Sequence, residues 1–370
     1  VVRSRMPGPI PLRHPASSIA DHRLAVADPR LMAQLSKALG THITKSTQSS
    51  YNSAFRSFFR FCKSRGFTPF PADPVVLSAF IVYEACWISL PSLKLYLSGI
   101  RSASIDSGHP WLLDGDPTCA RALRSVKRRY GCPEKALKVP LSFSLLIRIF
   151  NLLPGWPIAR AMSHDDRLFV AASLIATAGF LRGGEFLHSV KSCRPVLLAR
   201  AIALRSVEGR LCAVISIPSP KARWWSKSQD AVCFPPPELP DSPSLSPALW
   251  WHRYSSLAVP PLSPEGPAFV RADGSTLSRG VMVRLATSLV SKAEVHLVDP
   301  AGRPLKVLAS SWRAGGVASA RLAGVSDASI MSLGRWSSSA WLNYTVPDPS
   351  EIPKASDAMW IAAVSEARPR

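Results

Sequence analysis

The sequence predicts an α+β fold, mainly α-helical with one small β-sheet, divided into two domains. The chain has 370 residues, of which 47% are hydrophobic, so it is long enough to bury two separate cores. Hydrophobic residues recur at helical spacing through both halves, whereas the alternation typical of strands appears in residues 210–218 and 230–234, and a further short strand is predicted just before an Asp273-Gly274 turn. These observations favour a helical first domain and a mixed second domain.

The first half predicts four helices. Aromatic residues from Tyr51 onward share one face of the first helix, and Gly66 ends it. Asp73 is the expected N-cap of the second helix, with Pro74 at its first helical position. The third and fourth helices are predicted over residues 91–108 and 116–131.

The second half predicts helices around one β-hairpin. Residues 164–180 are hydrophobic on nearly all sides, which indicates a buried helix. The two alternating segments form the hairpin, and a proline-rich surface connection follows them. The predicted organisation is a flexible basic arm over residues 1–28, a helical domain over 29–132, a linker over 133–140, a second domain over 141–346, and a tail or docking helix over 347–370.

The charge balance predicts a polyanionic partner. Lysine and arginine number 45 against 24 acidic residues, a formal net charge of +21, and nucleic acid is the first expectation for such a chain. A membrane surface is the alternative, but no hydrophobic run reaches the roughly 18 residues of a spanning helix. No secretory signal is recognised, so we expect an intracellular protein, nuclear if eukaryotic and otherwise cytoplasmic.

The sequence contains no recognisable metal or cofactor motif. Its seven cysteines are odd in number, and none forms a Cys-x-x-Cys pair. This pattern argues against a disulfide framework or a zinc site, and the eight histidines do not cluster. We therefore expect neither a metal nor a small-molecule cofactor.

A stripe of basic residues on the fourth helix is the predicted DNA contact. Only one acidic residue, Glu134, interrupts this basic run. The mutual repulsion of its lysine and arginine side chains is therefore not offset within the run, which favours contact with phosphates. A solvated helix face is the alternative interpretation. The predicted DNA-binding residues are Arg121, Arg124, Lys127, Arg128, Arg129 and Lys138.

Three short motifs in the second domain contain the candidate chemical groups. LRGGEF, residues 181–186, places an arginine directly after the buried helix. SSWRAGG, residues 310–316, contains Arg313, and LGRW, residues 333–336, precedes Tyr344. Short helices are expected to bring Arg313, Arg335 and Tyr344 toward one another, which suggests an anionic reaction centre.

In this order and spacing, the motifs resemble those of the tyrosine recombinases, the phage-integrase-like family. The family's second motif is His-x-x-Arg, and its third is Leu-Gly-His followed by a tyrosine nine positions after the His or Trp site, as Tyr344 follows Arg335 here. The resemblance covers roughly residues 40–346. It implies a helical core-binding (SAM-like) domain, a tyrosine-recombinase catalytic domain, and a role in DNA recombination or integration, including that of transposable elements.

The resemblance also implies metal-independent DNA cleavage and rejoining. Tyr344 would attack the scissile phosphate and form a 3′-phosphotyrosyl bond. Arg182 and Arg313 would each donate bidentate hydrogen bonds to its non-bridging oxygens. Lys221 on the hairpin, or Lys227 as the alternative, would protonate the departing 5′ oxygen. Four protomers would assemble on two DNA sites.

Two positions depart from the family pattern. Ser310 replaces the histidine of the second motif. Its hydroxyl can hydrogen-bond a phosphate oxygen but, unlike histidine, cannot relay a proton as an acid or base near neutral pH. Arg335 occupies the later His or Trp position, with Trp336 beside it for packing. The nucleophile and both phosphate-binding arginines are unchanged, which favours an active enzyme. The alternative is a DNA-binding protein that retains the fold without cleavage.

Each candidate residue also has a purely structural interpretation. Arg182 can pair with Glu185 at i+3, in which case the pair would support the fold. Arg335 can stabilise the C-terminal end of a helix. Tyr344 can be a half-buried aromatic residue, and the hairpin lysines can be solvated.

Overall fold

Helices dominate the described residues of this protein in a computed structural model. These residues are 28–40, 43, 45–109, 111, 115–131, 138–188, 196–218, 228–234, 245–294, 298, 302 and 305–344. The chain divides into a first unit, residues 1–135, and a second unit, residues 136–370. Lys221, Lys227, nearly all of the predicted arm and the whole predicted tail lie outside the described residues.

The first unit contains five described helices rather than the predicted four. They are α1 (Pro29–Gly40), α2 (Lys45–Lys63), α3 (Pro74–Glu84), α4 (Leu90–Asp106) and α5 (Pro117–Tyr130). Asp73 caps α3 as predicted, because its carboxylate accepts hydrogen bonds from the backbone N–H groups of Val75 and Val76. Asp116 caps α5 in the same way.

The core of the first unit lies between two helix pairs. Helix α2 packs on α4, and α3 packs on α5. Gly99 allows the close approach of α4 to α2, since a Cβ atom there would lie 2.9 Å from the Tyr51 Cα. Phe58 and Phe80 meet edge to face between the pairs, with ring centroids 5.2 Å apart.

The second unit is built around one buried helix. Its described helices are α6 (Phe143–Phe150), α7 (His164–Ala178), α8 (Gly183–Phe186), α9 (Pro247–Ser256), α10 (Arg279–Lys292), α11 (Ser311–Leu322) and α12 (Asp327–Gly334), with 3-10 helices at Ala159–Ala161, Ala199–Ala201 and Ser339–Tyr344. Every residue from Arg167 to Thr177 of α7 is buried, which confirms the predicted buried helix. Helices α6, α8, α9 and α11 all contact it.

The sheet has three antiparallel strands, of which the first was not predicted, and the short strand predicted before Asp273 forms only isolated bridges, Pro267 with Leu198 and Val270 with Thr276. Strands β1 (Ile202–Val207), β2 (Arg210–Pro218) and β3 (Ser228–Cys233) lie in that order. The predicted hairpin is the β2–β3 pair. The unpredicted β1 joins β2 through Glu208 and Gly209, both with positive φ, as a two-residue hairpin turn requires.

This mainly α-helical architecture with one small antiparallel sheet confirms the predicted fold class. Across the ranges given above, no helix combines the length and the hydropathy needed to cross a membrane. Within those same ranges, no three histidine, cysteine or carboxylate side chains are grouped as a metal site would require.

Small residues let α11 pack closely against its neighbours. Trp312 at its start donates a hydrogen bond from Nε1 to the Ser173 Oγ of α7, at 3.0 Å. A Cβ atom on Gly316 would lie 2.6 Å from the Thr177 carbonyl oxygen, and one on Gly315 would overlap the Leu141 carbonyl. The glycine pair therefore sets the distance between α11 and the core.

We expect Gly315→Ala to lower the free energy of unfolding by about 3 kcal/mol, because the added methyl overlaps fixed backbone atoms. Urea denaturation followed by circular dichroism measures the change. Gly280→Ala in α10 is the matched control. Its Cβ would meet only the flexible end of Arg284, so we expect a change within about 1 kcal/mol. Equal stability of the two variants would contradict the packing described for α11.

Candidate active site

The first motif forms a tight turn after the buried helix. Helix α7 ends at Ala178, Phe180 has a positive φ of 47°, and Arg182 is the N-cap residue of α8. The Glu185 carboxylate accepts a hydrogen bond from the Arg182 backbone N–H at 2.7 Å and one from its Nη1 at 2.8 Å. The side chain of Arg182 remains 21% exposed whereas that of Glu185 is only 4% exposed. The predicted ion pair therefore forms, and it leaves Arg182 accessible to solvent.

Arg313 of the second motif lies inside the protein. Its side chain is fully buried, and its guanidinium donates hydrogen bonds to the carbonyl oxygens of Phe180 and Gly334. The Trp336 ring covers one face of the guanidinium, 3.8 Å from Cζ to the ring centroid. An anion can therefore reach Arg313 only after Trp336 or the backbone around it moves.

Arg335 of the third motif turns back toward the first motif. It adopts a left-handed conformation, φ 57°, at the C-cap of α12 and is buried. Its Nη1 donates to the Gly179 carbonyl at 2.8 Å, and its Nη2 lies 3.1 Å from the Glu185 carboxylate. Burial lowers the pKa of Arg335, and Glu185 opposes that shift. The described contacts of Arg335 are all with protein groups.

The three arginines therefore meet at one turn, around the Gly179 and Phe180 carbonyls and the single carboxylate of Glu185. Positive charge is in excess there. Cys233 lies within electrostatic range of Arg335, but desolvation raises the pKa of its thiol to about 12. That thiol stays protonated at neutral pH and is no nucleophile.

Ser310 lies at the edge of this group. A Cβ atom on Gly183 would lie 2.7 Å from the Ala309 Cβ, so the chain just before Ser310 packs directly on the first motif. Lys138 donates a hydrogen bond from Nζ to the Ser310 Oγ at 3.4 Å. Lys138 thus belongs to the second unit, beside the second motif, whereas the other predicted DNA-binding residues belong to α5 of the first unit. Its role in DNA binding stays a prediction.

Tyr344 is the last residue of the 3-10 helix Ser339–Tyr344, which contacts α11. The structure describes the backbone of Tyr344 and not its side chain, so its role as nucleophile stays a prediction, as do the roles of the two hairpin lysines.

The basic stripe lies along α5 of the first unit. Arg121, Arg124, Lys127, Arg128 and Arg129 are all exposed there. They recur over more than two turns of one helix, which is the arrangement that contact with successive phosphates requires. Their role in DNA binding stays a prediction.

Sequence reasoning did not identify the Gly179 and Phe180 carbonyls as the acceptors that organise the site. Backbone acceptors carry no signal in the residue types, so a positive φ at Phe180 could not be predicted from the sequence. The paired glycines of the first motif were a usable signal, since Gly183 permits the contact with Ala309.

The chain has the fold of the tyrosine recombinases. It is similar to the XerH site-specific recombinase bound to a palindromic difH substrate in a post-cleavage complex, with a TM-score of 0.53, 14% identity, and coverage of 93% of this chain and 92% of that one. It is similar as well to the Tn1549 transposon integrase in complex with a circular intermediate DNA, with a TM-score of 0.51, 11% identity, and coverage of 89% and 97%. No family model matches the sequence, and no curated protein matches it.

Proposed function

We propose that this protein cleaves and rejoins duplex DNA as a site-specific or transposon-type tyrosine recombinase. The observation that carries the proposal is the meeting of all three sequence motifs at one turn of a chain with the recombinase fold. Arg182, Arg313 and Trp336 come together there from segments far apart in sequence. The excess of positive charge suits a phosphate, whose charge grows during in-line attack.

The proposed reaction conserves the energy of the broken strand. The Tyr344 hydroxyl loses its proton to solvent, and its oxygen attacks the scissile phosphorus and forms a 3′-phosphotyrosyl bond as the bond to the 5′ oxygen breaks. The departing oxygen takes a proton and becomes a 5′ hydroxyl, and Lys221 or Lys227 is the proposed donor. Attack of a 5′ hydroxyl on the phosphotyrosyl bond reverses these steps, rejoins the strand and frees the tyrosine.

Contact between Arg313 and the phosphate requires a rearrangement in this proposal. The Trp336 ring covers the Arg313 guanidinium, which also donates hydrogen bonds to the backbone carbonyls of Phe180 and Gly334. Trp336 lies just after Arg335, the C-cap of α12, at the start of the segment that ends at Tyr344. Movement of residues 336–344 would therefore uncover Arg313 and reposition Tyr344 together. We propose that duplex DNA induces this movement.

A covalent-trapping experiment tests the function. The protein is incubated with a library of duplexes that contain a nick near each possible cleavage point, so that the cleaved fragment diffuses away and rejoining is prevented. We expect protein–DNA adducts that survive denaturing electrophoresis, and sequencing of the trapped DNA reports the site. Absence of adducts from a library that includes the DNA the protein binds best would rule out the enzyme.

A second candidate function is DNA binding without cleavage. The specific observation in its favour is the site itself. The Arg313 side chain is fully buried, and Ser310 stands where the second motif of the family has a histidine. This candidate predicts specific duplex binding with no adduct from the wild-type protein. If Ser310→His then forms adducts on the same DNA, the loss of cleavage is assigned to that one position.

The basic stripe gives a prediction that both candidates share. We expect Arg124→Gln combined with Arg128→Gln to weaken duplex binding and to reduce the slope of log affinity against log salt by about two, because two phosphate contacts are lost. Fluorescence anisotropy over a salt series measures both quantities. Arg160→Gln combined with Lys292→Gln removes the same charge from exposed positions of the second unit and serves as the control. An equal loss in both double variants would mean that total charge, and not the stripe, sets the affinity.

We also propose that the active form is a homotetramer on two DNA sites, as the family resemblance implies. Sedimentation of the protein with its trapped DNA, compared with the protein alone, measures the number of protomers in each complex.

A further inference from the structure

Lys138 is held beside the second motif by its backbone. It forms a parallel bridge with Lys306, and the next residue, Val139, donates its N–H to the Lys306 carbonyl at 3.1 Å. Leu141 then donates its N–H to the Ser311 carbonyl, also at 3.1 Å. Residues 138–141 are therefore paired with the segment that enters α11. The position of the Lys138 side chain is set by this pairing and not by an exposed loop.

The Ser310 hydroxyl has no role in ending or starting the helix. Ser310 is the N-cap residue of α11, yet its side chain makes no capping hydrogen bond. The local turn is closed by its neighbour instead, since the Ser311 Oγ accepts a hydrogen bond from the Leu308 N–H at 3.0 Å. Ser310 is half-buried and its oxygen accepts from the Lys138 ammonium.

The Lys138 ammonium determines which atom of the Ser310 hydroxyl the contact uses. An ammonium group can only donate hydrogen bonds, so the Ser310 oxygen is the acceptor in the 3.4 Å contact. The Ser310 O–H is not used in this contact and can donate a hydrogen bond to another group. Ala309, the residue before Ser310, packs on Gly183, the residue after Arg182, so the chain at Ser310 runs close to the turn that presents Arg182. Arg182, itself partly exposed, would share the same anion.

We propose that Ser310 donates a hydrogen bond to a non-bridging oxygen of the scissile phosphate, and that Lys138 is the positioning residue that orients and polarises its hydroxyl. The pair thereby supplies the phosphate hydrogen bond that the absent histidine of the second motif would make. This inference rests on the proposed recombinase function. It makes no use of proton transfer, so neutral serine is sufficient.

Single-turnover trapping on a nicked duplex tests the proposal. We expect Lys138→Met to slow adduct formation by about 100-fold, the order of magnitude for losing one oriented donor to a developing oxyanion. Ser310→Ala should slow it as much. The double variant should be no slower than either single variant, because the two residues act as one unit. Lys138→Arg retains a charged donor and should recover most of the rate.

A modified substrate separates this role from a merely structural one. Replacing one non-bridging oxygen of the scissile phosphate by a methyl group removes the charge that the pair stabilises. On this methylphosphonate duplex we expect the rates of adduct formation by Lys138→Met and by the wild type to differ by less than about threefold. A variant whose site is misfolded would instead form adducts slowly on both substrates. Lys306→Met is the control. Lys306 pairs with Lys138 through its backbone and its side chain is exposed, so this variant should cleave at the wild-type rate.

The outcomes are distinguishable. If the wild-type protein forms no adduct on any DNA, the recombinase function fails and this inference fails with it. If the wild type cleaves and Lys138→Met cleaves equally well, the function stands and the role of Lys138 is refuted. Multiplicative effects of Lys138→Met and Ser310→Ala would also refute the pairing, and so would a methylphosphonate duplex that leaves the Lys138→Met defect unchanged.

Discussion

Tyr344→Phe is expected to abolish the covalent protein–DNA adduct while leaving duplex affinity unchanged. The substitution removes only the phenolic oxygen that the proposed mechanism joins to phosphorus, so no residual rate through the same intermediate remains. Denaturing electrophoresis of the nicked-duplex reaction measures the adduct, and fluorescence anisotropy measures binding. Tyr130→Phe is the control, because the Tyr130 hydroxyl is exposed on the first unit and lies 3.4 Å from the Cys86 Sγ.

The tyrosine test has a clear contrary result. Adducts that persist in Tyr344→Phe would assign the nucleophile to another side chain, and peptide mapping of the adduct would identify it. The buried thiol of Cys233 is a poor alternative because its pKa is raised to about 12. Tyr254 is a poor alternative as well, since burial raises its pKa to about 12 and its hydroxyl hydrogen-bonds the Val270 backbone.

Glu185→Gln is expected to lower the free energy of unfolding by about 3 kcal/mol, a cost typical of breaking a buried ion pair. The Glu185 carboxylate has an exposed fraction of 4%, and Arg335, which it contacts at 3.1 Å, has one of 3%. The isosteric amide keeps the shape but leaves a buried guanidinium without its counter-charge. Arg182 loses its charged acceptor in the same variant. We therefore expect slower adduct formation along with the lower stability.

Glu265→Gln provides the matched comparison. Its carboxylate also pairs with an arginine, at 2.6 Å from Arg200, but the two side chains are 65% and 59% exposed. Solvent screens such a pair, so the change should cost less than about 1 kcal/mol. Urea denaturation of both variants decides the point. Equal decreases in the free energy of unfolding would show that the buried charge of Glu185 contributes no more to stability than an exposed one.

Local signals predicted much of this protein correctly. The helix cap at Asp73, the buried helix α7, the β2–β3 hairpin and the Arg182–Glu185 pair all depend on residues close together in sequence, and the structure contains each of them. Helical spacing and capping chemistry act over a few residues, so a single sequence is sufficient to detect them.

The features that were not predicted depend on long-range packing. Lys138 reads as one more member of a basic run, and only its pairing with Lys306 places it next to Ser310. Arg335 was assigned to the reaction by its place in the third motif. The left-handed backbone at that residue directs its side chain to the Gly179 carbonyl after α7, a contact that the motif does not indicate, and its role in the reaction stays a prediction. Residue type and spacing do not specify such a backbone turn.

The cover of Trp336 over Arg313 has a consequence for selectivity among anions. A free inorganic phosphate that reached Arg313 would have to displace an aromatic ring and two carbonyl acceptors, and it would bring no other contacts to offset that loss. A phosphate within a long duplex arrives with many neighbours, each able to bind elsewhere on a strongly basic chain. On the proposed function, we therefore expect Arg313 to bind free inorganic phosphate poorly and to become accessible only to a phosphate within duplex DNA.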